Sequence, residues 1–242
     1  MKKKNYNYIW ISFIILVFGI IFIPKIVSRI KDDAIVENDR MNKKDNKGAL
    51  AYVEINGSKK RVPEFTFINQ DSLVVTNRDY LGKVYIVEFF FTSCPTICPV
   101  MTKNLVQIQN SFKDVENFGI ASFSIDPKTD TPTTLKKYTE TYGITNLDWH
   151  LMTGQRDEIY KLANQGFNIF AQQNPNVPGG FEHSGMFALV DKRGYIRSRV
   201  DEFGNPIIYY RGTISEEDGA NDEGEKEQIS ILKEDIKKLL DE

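Results

Sequence analysis

Nine residues, KVYIVEFFF at 83–91, constrain this chain more than any other stretch. Apart from Lys83 and Glu88 they are apolar, β-branched or aromatic, and they do not alternate with polar residues. A strand with one wet face alternates, so a continuous run marks a strand buried on both faces, covered by other elements above and below. The run ends in TSCPTICP, and PVMTKNLVQIQNSF follows with apolar residues at Val100, Met101, Leu105, Ile108 and Phe112, a helical spacing. FGIASFSI (118–125) reads as a second buried strand. DTPTTLKKYTETYG (130–143) has Asp130 or Thr131 to cap a helix, Pro132 at its first position and Gly143 at its end.

Further along, DWHLMTG (148–154) reads as a short strand and QRDEIYKLANQGF (155–167) as a helix. GMFALVDKRGYIRSRVD (185–201) reads as a hairpin turning at Lys192, Arg193 and Gly194. EQISILKEDIKKLLDE closes the chain as an amphipathic helix with Ile229, Leu232, Ile236, Leu239 and Leu240 on one face. Strands alternating with helices and ending in a hairpin imply an α/β fold, a thioredoxin-like mixed sheet flanked by helices. A polar loop at the carboxyl end of a central strand is where such sheets place their sites.

That loop holds Cys94 and Cys98, the only two cysteines of the chain. Pro99 is tolerated in the first turn of a helix and not deeper, so the helix is expected to begin near Pro99 with Cys98 near its N-cap. The positive end of a helix favours a thiolate and lowers its pKa, so at least one thiol should titrate below about 8.5. Three readings are open for the pair. A structural disulfide would close too short a loop to stabilise much by chain entropy. A dithiol oxidoreductase fits the strand–loop–helix context, although its usual spacing is one residue shorter. Metal capture fits two soft thiolates, which suit Cu(I) and are commonly joined by an imidazole. The chain has two histidines. His150 lies in a presumed strand and reads as a core-edge or surface residue. His183 lies where a Gly/Pro-rich loop meets a strand. Met101 and Met186 sit in apolar settings and read as packing residues.

At the other end, MKKK precedes an apolar run from Ile9 to Ile23 that is broken only by Ser12 and Gly19. With flanking Tyr6, Tyr8, Ile26 and Val27 it reaches the length of a spanning helix, with Trp10 and the tyrosines suited to the interface. A cleaved signal has a shorter apolar region and a small-residue cleavage site, and none follows Ile23. Residues 1–30 therefore read as cytoplasmic lysines and an uncleaved transmembrane anchor, 31–61 as a polar linker, and 62–242 as the folded domain. Lys+Arg 31 against Asp+Glu 33 give no basic field, so nucleic acid is not an expected partner. Residues 213–228 carry seven acids against one lysine and read as a solvated loop.

Three segments in order resemble the Sco/SenC family, the membrane-tethered copper proteins of cytochrome oxidase assembly. FFFTSCPTICP resembles the family's cysteine loop, SFSIDPKTDTPTTLKKY its Asp-Pro-x-x-Asp-x-Pro segment, and EHSGMFALVD its His-Ser strand. The resemblance covers roughly 63–201 and the tether. It implies that Cys94, Cys98 and His183 converge on one copper ion per domain, Cu(I) or Cu(II), with Asp126 as a nearby supporting carboxylate. Two thiolates and a neutral imidazole would leave a Cu(I) site singly negative and a Cu(II) site neutral. The resemblance further implies a single-pass membrane protein with its domain on the extracytoplasmic, periplasmic side. Its partners would be a copper-containing oxidase subunit and other copper or thiol carriers. Such a protein is a metallochaperone or thiol reductase rather than a turnover enzyme. The rival is a metal-independent thiol-disulfide oxidoreductase or peroxidase with Cys94 and Cys98 as its redox-active pair. Many family members have an acidic residue two positions after the first cysteine, where this chain has Thr96. The acidic segment 216–227 lies beyond the family core.

Overall fold

A computed structural model of the chain describes residues 49–201 and 205–242, together with 10, 16–18, 20 and 22–23. All seven residues of KVYIVEFFF that form strand β6 (Val84–Phe90) are buried, as are all seven of β7 (Phe118–Ser124). Strand β6 pairs in parallel with β7 on one side and antiparallel with β11 (Met186–Val190) on the other, so it lies inside the sheet. β7 in turn pairs in parallel with β8 (Trp149–Thr153). Outward from β8 come β4 (Thr66–Asn69) and β5 (Val74–Thr76), and outward from β11 come β12 (Ile196–Ser198) and β1 (Ala51–Tyr52). β13 (Tyr210–Arg211) also pairs with β11. The result is a nine-stranded mixed sheet, with two small hairpins beside it. These are β2 (Glu54–Ile55) with β3 (Ser58–Lys59), and β9 (Ala171–Gln173) with β10 (Phe181–His183).

The helices follow from local chemistry. Pro132–Tyr142 starts after Thr131, whose hydroxyl accepts the Thr134 N–H, and stops at Gly143 with φ 70°. That left-handed conformation ends a helix at little cost only for glycine. The segment expected as one helix over 155–167 is α-helical only over Arg156–Lys161; residues Leu162–Phe167 widen to a π-helical turn that ends at Asn168 with φ 53°. Ile229–Asp241 buries Ile229, Leu232, Ile236 and Leu239, the face expected from its spacing, against β6 and the helix that follows the cysteine loop.

One residue of β6 is not apolar. Glu88 is fully buried; its Oε1 accepts the Ser122 hydroxyl at 2.6 Å, and Ser122 Oγ in turn accepts the Trp149 indole N–H at 2.9 Å. Burial pushes the Glu88 carboxyl up to about 7, and its Oε2 has no partner among the described residues.

The compact unit that contains the sheet runs from Gly48 to Glu242. It therefore begins inside the stretch expected as a linker: β1 pairs with β12, Leu50 and Val53 are buried, and the guanidinium of Arg197 donates to the Leu50 carbonyl at 2.8 Å. The polar composition of 49–61 concealed this because two-residue edge strands have no period to read. The acidic stretch 213–228, expected as a solvated loop, is tied down at several points, with Glu216 paired to Lys233 and Glu225 to Arg211. Of the other unit, Met1–Lys47, the described residues 16–18, 20 and 22–23 are helical and exposed. Among the described residues no helix is long and apolar enough to cross a membrane. The anchor expected at 1–30 lies largely outside the described residues, as do residues 31–48 of the expected linker.

Candidate metal centre

The buried strand β6 delivers the chain at Phe91 to the carboxyl end of the sheet, where it turns: the Cys94 N–H donates to the Phe91 carbonyl at 3.3 Å. The helix Cys98–Ser111 begins there with Ile97 as N-cap and Pro99 in its first turn. Cys98 thus occupies the first helical position, next to the cap as expected. In the small β9–β10 hairpin, β10 ends at His183, held by antiparallel pairing of His183 with Ala171. Gly185 follows with φ 63°, and a Cβ there would come within 2.5 Å of Thr213 Cγ2 and 3.3 Å of Ile97 Cδ1. Glycine at 185 therefore lets the His183 segment lie directly against the cysteine loop. The Phe91 ring lies 5.2 Å from that of Phe181 and 6.1 Å, edge-on, from the His183 imidazole, so Phe91 stands between the two.

The sulfurs of Cys94 and Cys98 and a ring nitrogen of His183 all lie within 4.8 Å of one another. Cys98 Sγ is 3.2 Å from His183 Nε2, and Cys94 Sγ is 3.6 Å from the Thr96 hydroxyl. Both cysteines are free thiols and buried, and His183 is half-buried. A cleft of about 150 Å³ opens onto the group, walled by Phe91, Ile97, Val177, Pro178 and Phe181. A larger cleft of about 500 Å³ between the 63–67 segment and the Glu158–Gly166 stretch contains none of the three.

The electrostatics separate the two thiols. The Cys98 thiol donates toward Cys94, and His183 and the backbone N–H groups of Cys98 and Thr96 add to it, so the Cys94 thiol lies well below its ordinary value despite its burial. The Cys98 thiol is pushed up, first because its proton is held by Cys94 and then by burial. The lowered thiol of the pair is Cys94, in line with the expectation that at least one thiol lies below the free value. A pair that shares one proton releases the first easily and the second with difficulty. Two thiolates with an imidazole on one side form a soft donor set that can hold a metal ion and leaves its outer face to the cleft.

The other residues singled out from the sequence stand elsewhere. His150 is half-buried in β8, its Nδ1 3.2 Å from the Asn69 amide, and its ring meets Tyr80 edge-on. Met101 is fully buried and Met186 pairs opposite Arg211. Asp126 follows β7 and is not one of the three residues whose donor atoms converge. Its backbone N–H donates to Ser124 Oγ. The carboxylate that reaches the cysteine loop is Asp130, which has no exposed surface. It accepts the Thr92 N–H at 3.0 Å, the Thr92 hydroxyl, and the Ser124 hydroxyl at 2.5 Å. Sequence reading left Asp130 as an alternative helix cap. Only the structure shows that Thr131 is the cap, which leaves the preceding carboxylate without a local task there.

Known proteins match this arrangement. The SCO1 protein homolog of Bacillus subtilis is 36% identical over 138 residues, covering 56% of this chain and 70% of that protein. Among solved structures, BsSco is described as carrying a disulfide switch and as a member of the Sco family of cytochrome c oxidase assembly proteins. It matches with a TM-score of 0.58 and 29% identity over 74% of this chain and 92% of its own. Yeast Sco1 with copper bound matches with a TM-score of 0.52 over 74% of this chain and 89% of its own, at 23% identity a likeness of fold. The family model SCO1/SenC matches residues 53–214. The match takes in the sheet apart from its edge strand β1, the cysteine loop and the His183 strand, and the chain belongs to the SCO1/SenC family.

Proposed function

We propose that this protein is a membrane-anchored copper-binding protein that assists assembly of the copper centre of a respiratory cytochrome c oxidase. The observation that carries the reading is the convergence of Cys94 Sγ, Cys98 Sγ and a His183 ring nitrogen within 4.8 Å of one another. One copper ion per domain, as Cu(I) or Cu(II), matches the softness and the charge of this donor set. Cys94 and Cys98 supply thiolate donors and His183 a neutral imidazole. Three donors leave the cleft side open, so that an acceptor can approach and take the ion. The partners are the copper-containing oxidase subunit and other copper or thiol carriers. Residues 1–30 tether the domain, on the extracytoplasmic side, close to its client. Asp126 is a supporting carboxylate of the site in this reading.

A second reading is favoured by one feature. A low-pKa thiol beside a partner thiol is what thiol–disulfide exchange requires, and Cys94 beside Cys98 has that character. In that reading the pair reduces or oxidises a client's cysteines without metal. His183 separates the two, because exchange does not require a third donor and copper binding does.

Copper titration of Cys94→Ala, Cys98→Ala, His183→Ala and His150→Ala tests this. Each of the first three should lose more affinity than the roughly 10–100-fold that loss of an outer-shell partner costs. Circular dichroism should be unchanged, and His150→Ala should bind as the parent does. If His183→Ala binds copper as tightly as the parent while both cysteine variants lose thiol exchange, the copper reading fails and the oxidoreductase stands.

A further inference from the structure

The site's geometry depends on where the cysteine loop lies, and few hydrogen bonds tie that loop to other elements. Apart from the sulfur contacts of Cys94, residues 92–96 are tied to another element, among the described residues, by the two hydrogen bonds from Thr92 to Asp130. Thr92 stands two residues before Cys94, so its position sets where the Cys94 sulfur meets Cys98 and His183. Asp130 is well suited to hold it: it is fully buried, it sits immediately before the Pro132–Tyr142 helix, and its second contact is Ser124 at the end of β7. One carboxylate thus joins the loop, the neighbouring parallel strand and a helix start.

We propose that Asp130 is the positioning residue of this site, its carboxylate fixing Thr92 and through it the Cys94 sulfur relative to Cys98 and His183. The inference rests on the copper reading only for its affinity arm; the thiol arm concerns the metal-free protein. A hydrogen bond buried away from water holds direction as well as distance, and a loose loop would let the two sulfurs drift apart without unfolding the domain. Partners of this kind, one step removed from the ligands, typically change metal affinity by about 10–100-fold when removed.

Three variants of the full chain separate positioning from plain stability. Thr92→Val removes the hydroxyl bond and keeps the amide bond. Ser124→Ala removes a bond to the same carboxylate from the strand side and leaves the loop's own bonds in place. Asp130→Asn weakens both sides. Two quantities are read: the alkylation rate of Cys94 in reduced, metal-free protein at pH 7, located by mass spectrometry, and the affinity for copper alone. Thermal midpoints are measured beside them. Thr92→Val and Ser124→Ala should lower the midpoint by similar amounts. Only Thr92→Val should shift Cys94 reactivity and weaken copper binding, by roughly 3–10-fold, with Asp130→Asn reaching about 10–100-fold. Thr92→Ser should restore both. Equal effects of Thr92→Val and Ser124→Ala on both readouts would overturn the proposal. A changed Cys94 rate in a protein whose parent binds no copper would sustain the positioning role and sink the copper reading instead.

Discussion

Cys94 and Cys98 are four positions apart, yet they differ chemically because their neighbours differ. Cys94 collects donors: the Cys98 thiol first, then His183 and backbone N–H groups. Cys98 is buried under the helix start and keeps its proton. A helix start favours at least one lowered thiol in the pair, and the donors around the Cys94 sulfur make Cys94 that thiol. A thiol whose pKa is lowered is already ionised below the ordinary range. Alkylation of reduced, metal-free protein should therefore be located at Cys94 and nearly independent of pH between about 6 and 8, while a free thiol's rate rises through its pKa near 8.5. A Cys94 rate that climbs about tenfold per pH unit across that interval would contradict the assignment. His183 was legible as a candidate only through its family context, because a histidine in a Gly/Pro-rich loop has no signature of its own.

At the scale of elements, the parts that presented a sustained pattern were readable. The buried run of β6, the terminal amphipathic helix and the hairpin of β11 and β12 stand where their sequences placed them. The Pro132–Tyr142 helix was bounded by Thr131, Pro132 and Gly143 in sequence and is bounded by them in the fold. Its cap also matters for the site, because Asp130 immediately precedes it. Replacement Thr131→Ala removes the acceptor of the Thr134 N–H and should cost about 1 kcal/mol, measurable by denaturant unfolding. An unchanged midpoint would show that the cap is satisfied by water. The short strands β1–β5, β9, β10 and β13 escaped sequence reading, since two to four residues carry little or no period.

For the whole molecule, the compact unit begins at Gly48, so the first residues of the domain are structural. A chain shortened to 62–242 would lose the burial of Leu50 and Val53, each worth about 1.5–3 kcal/mol, and would strip a carbonyl from buried Arg197. It should unfold at a markedly lower temperature than 49–242, and equal midpoints in a thermal scan would refute the docking of that edge. Sequence alone determined the layered α/β plan, because buried runs and helical spacing are local consequences of which side chains avoid water. It also supplied the donors, since two cysteines and His183 are chemically suited to a soft metal wherever they lie. Only the tertiary structure decided that those three meet and that Asp130 reaches across to Thr92. Those outcomes depend on distances between residues far apart in the chain, set by the parallel pairing of β6 with β7 and by close packing at Gly185. No local pattern encodes such distances; the packed sheet does.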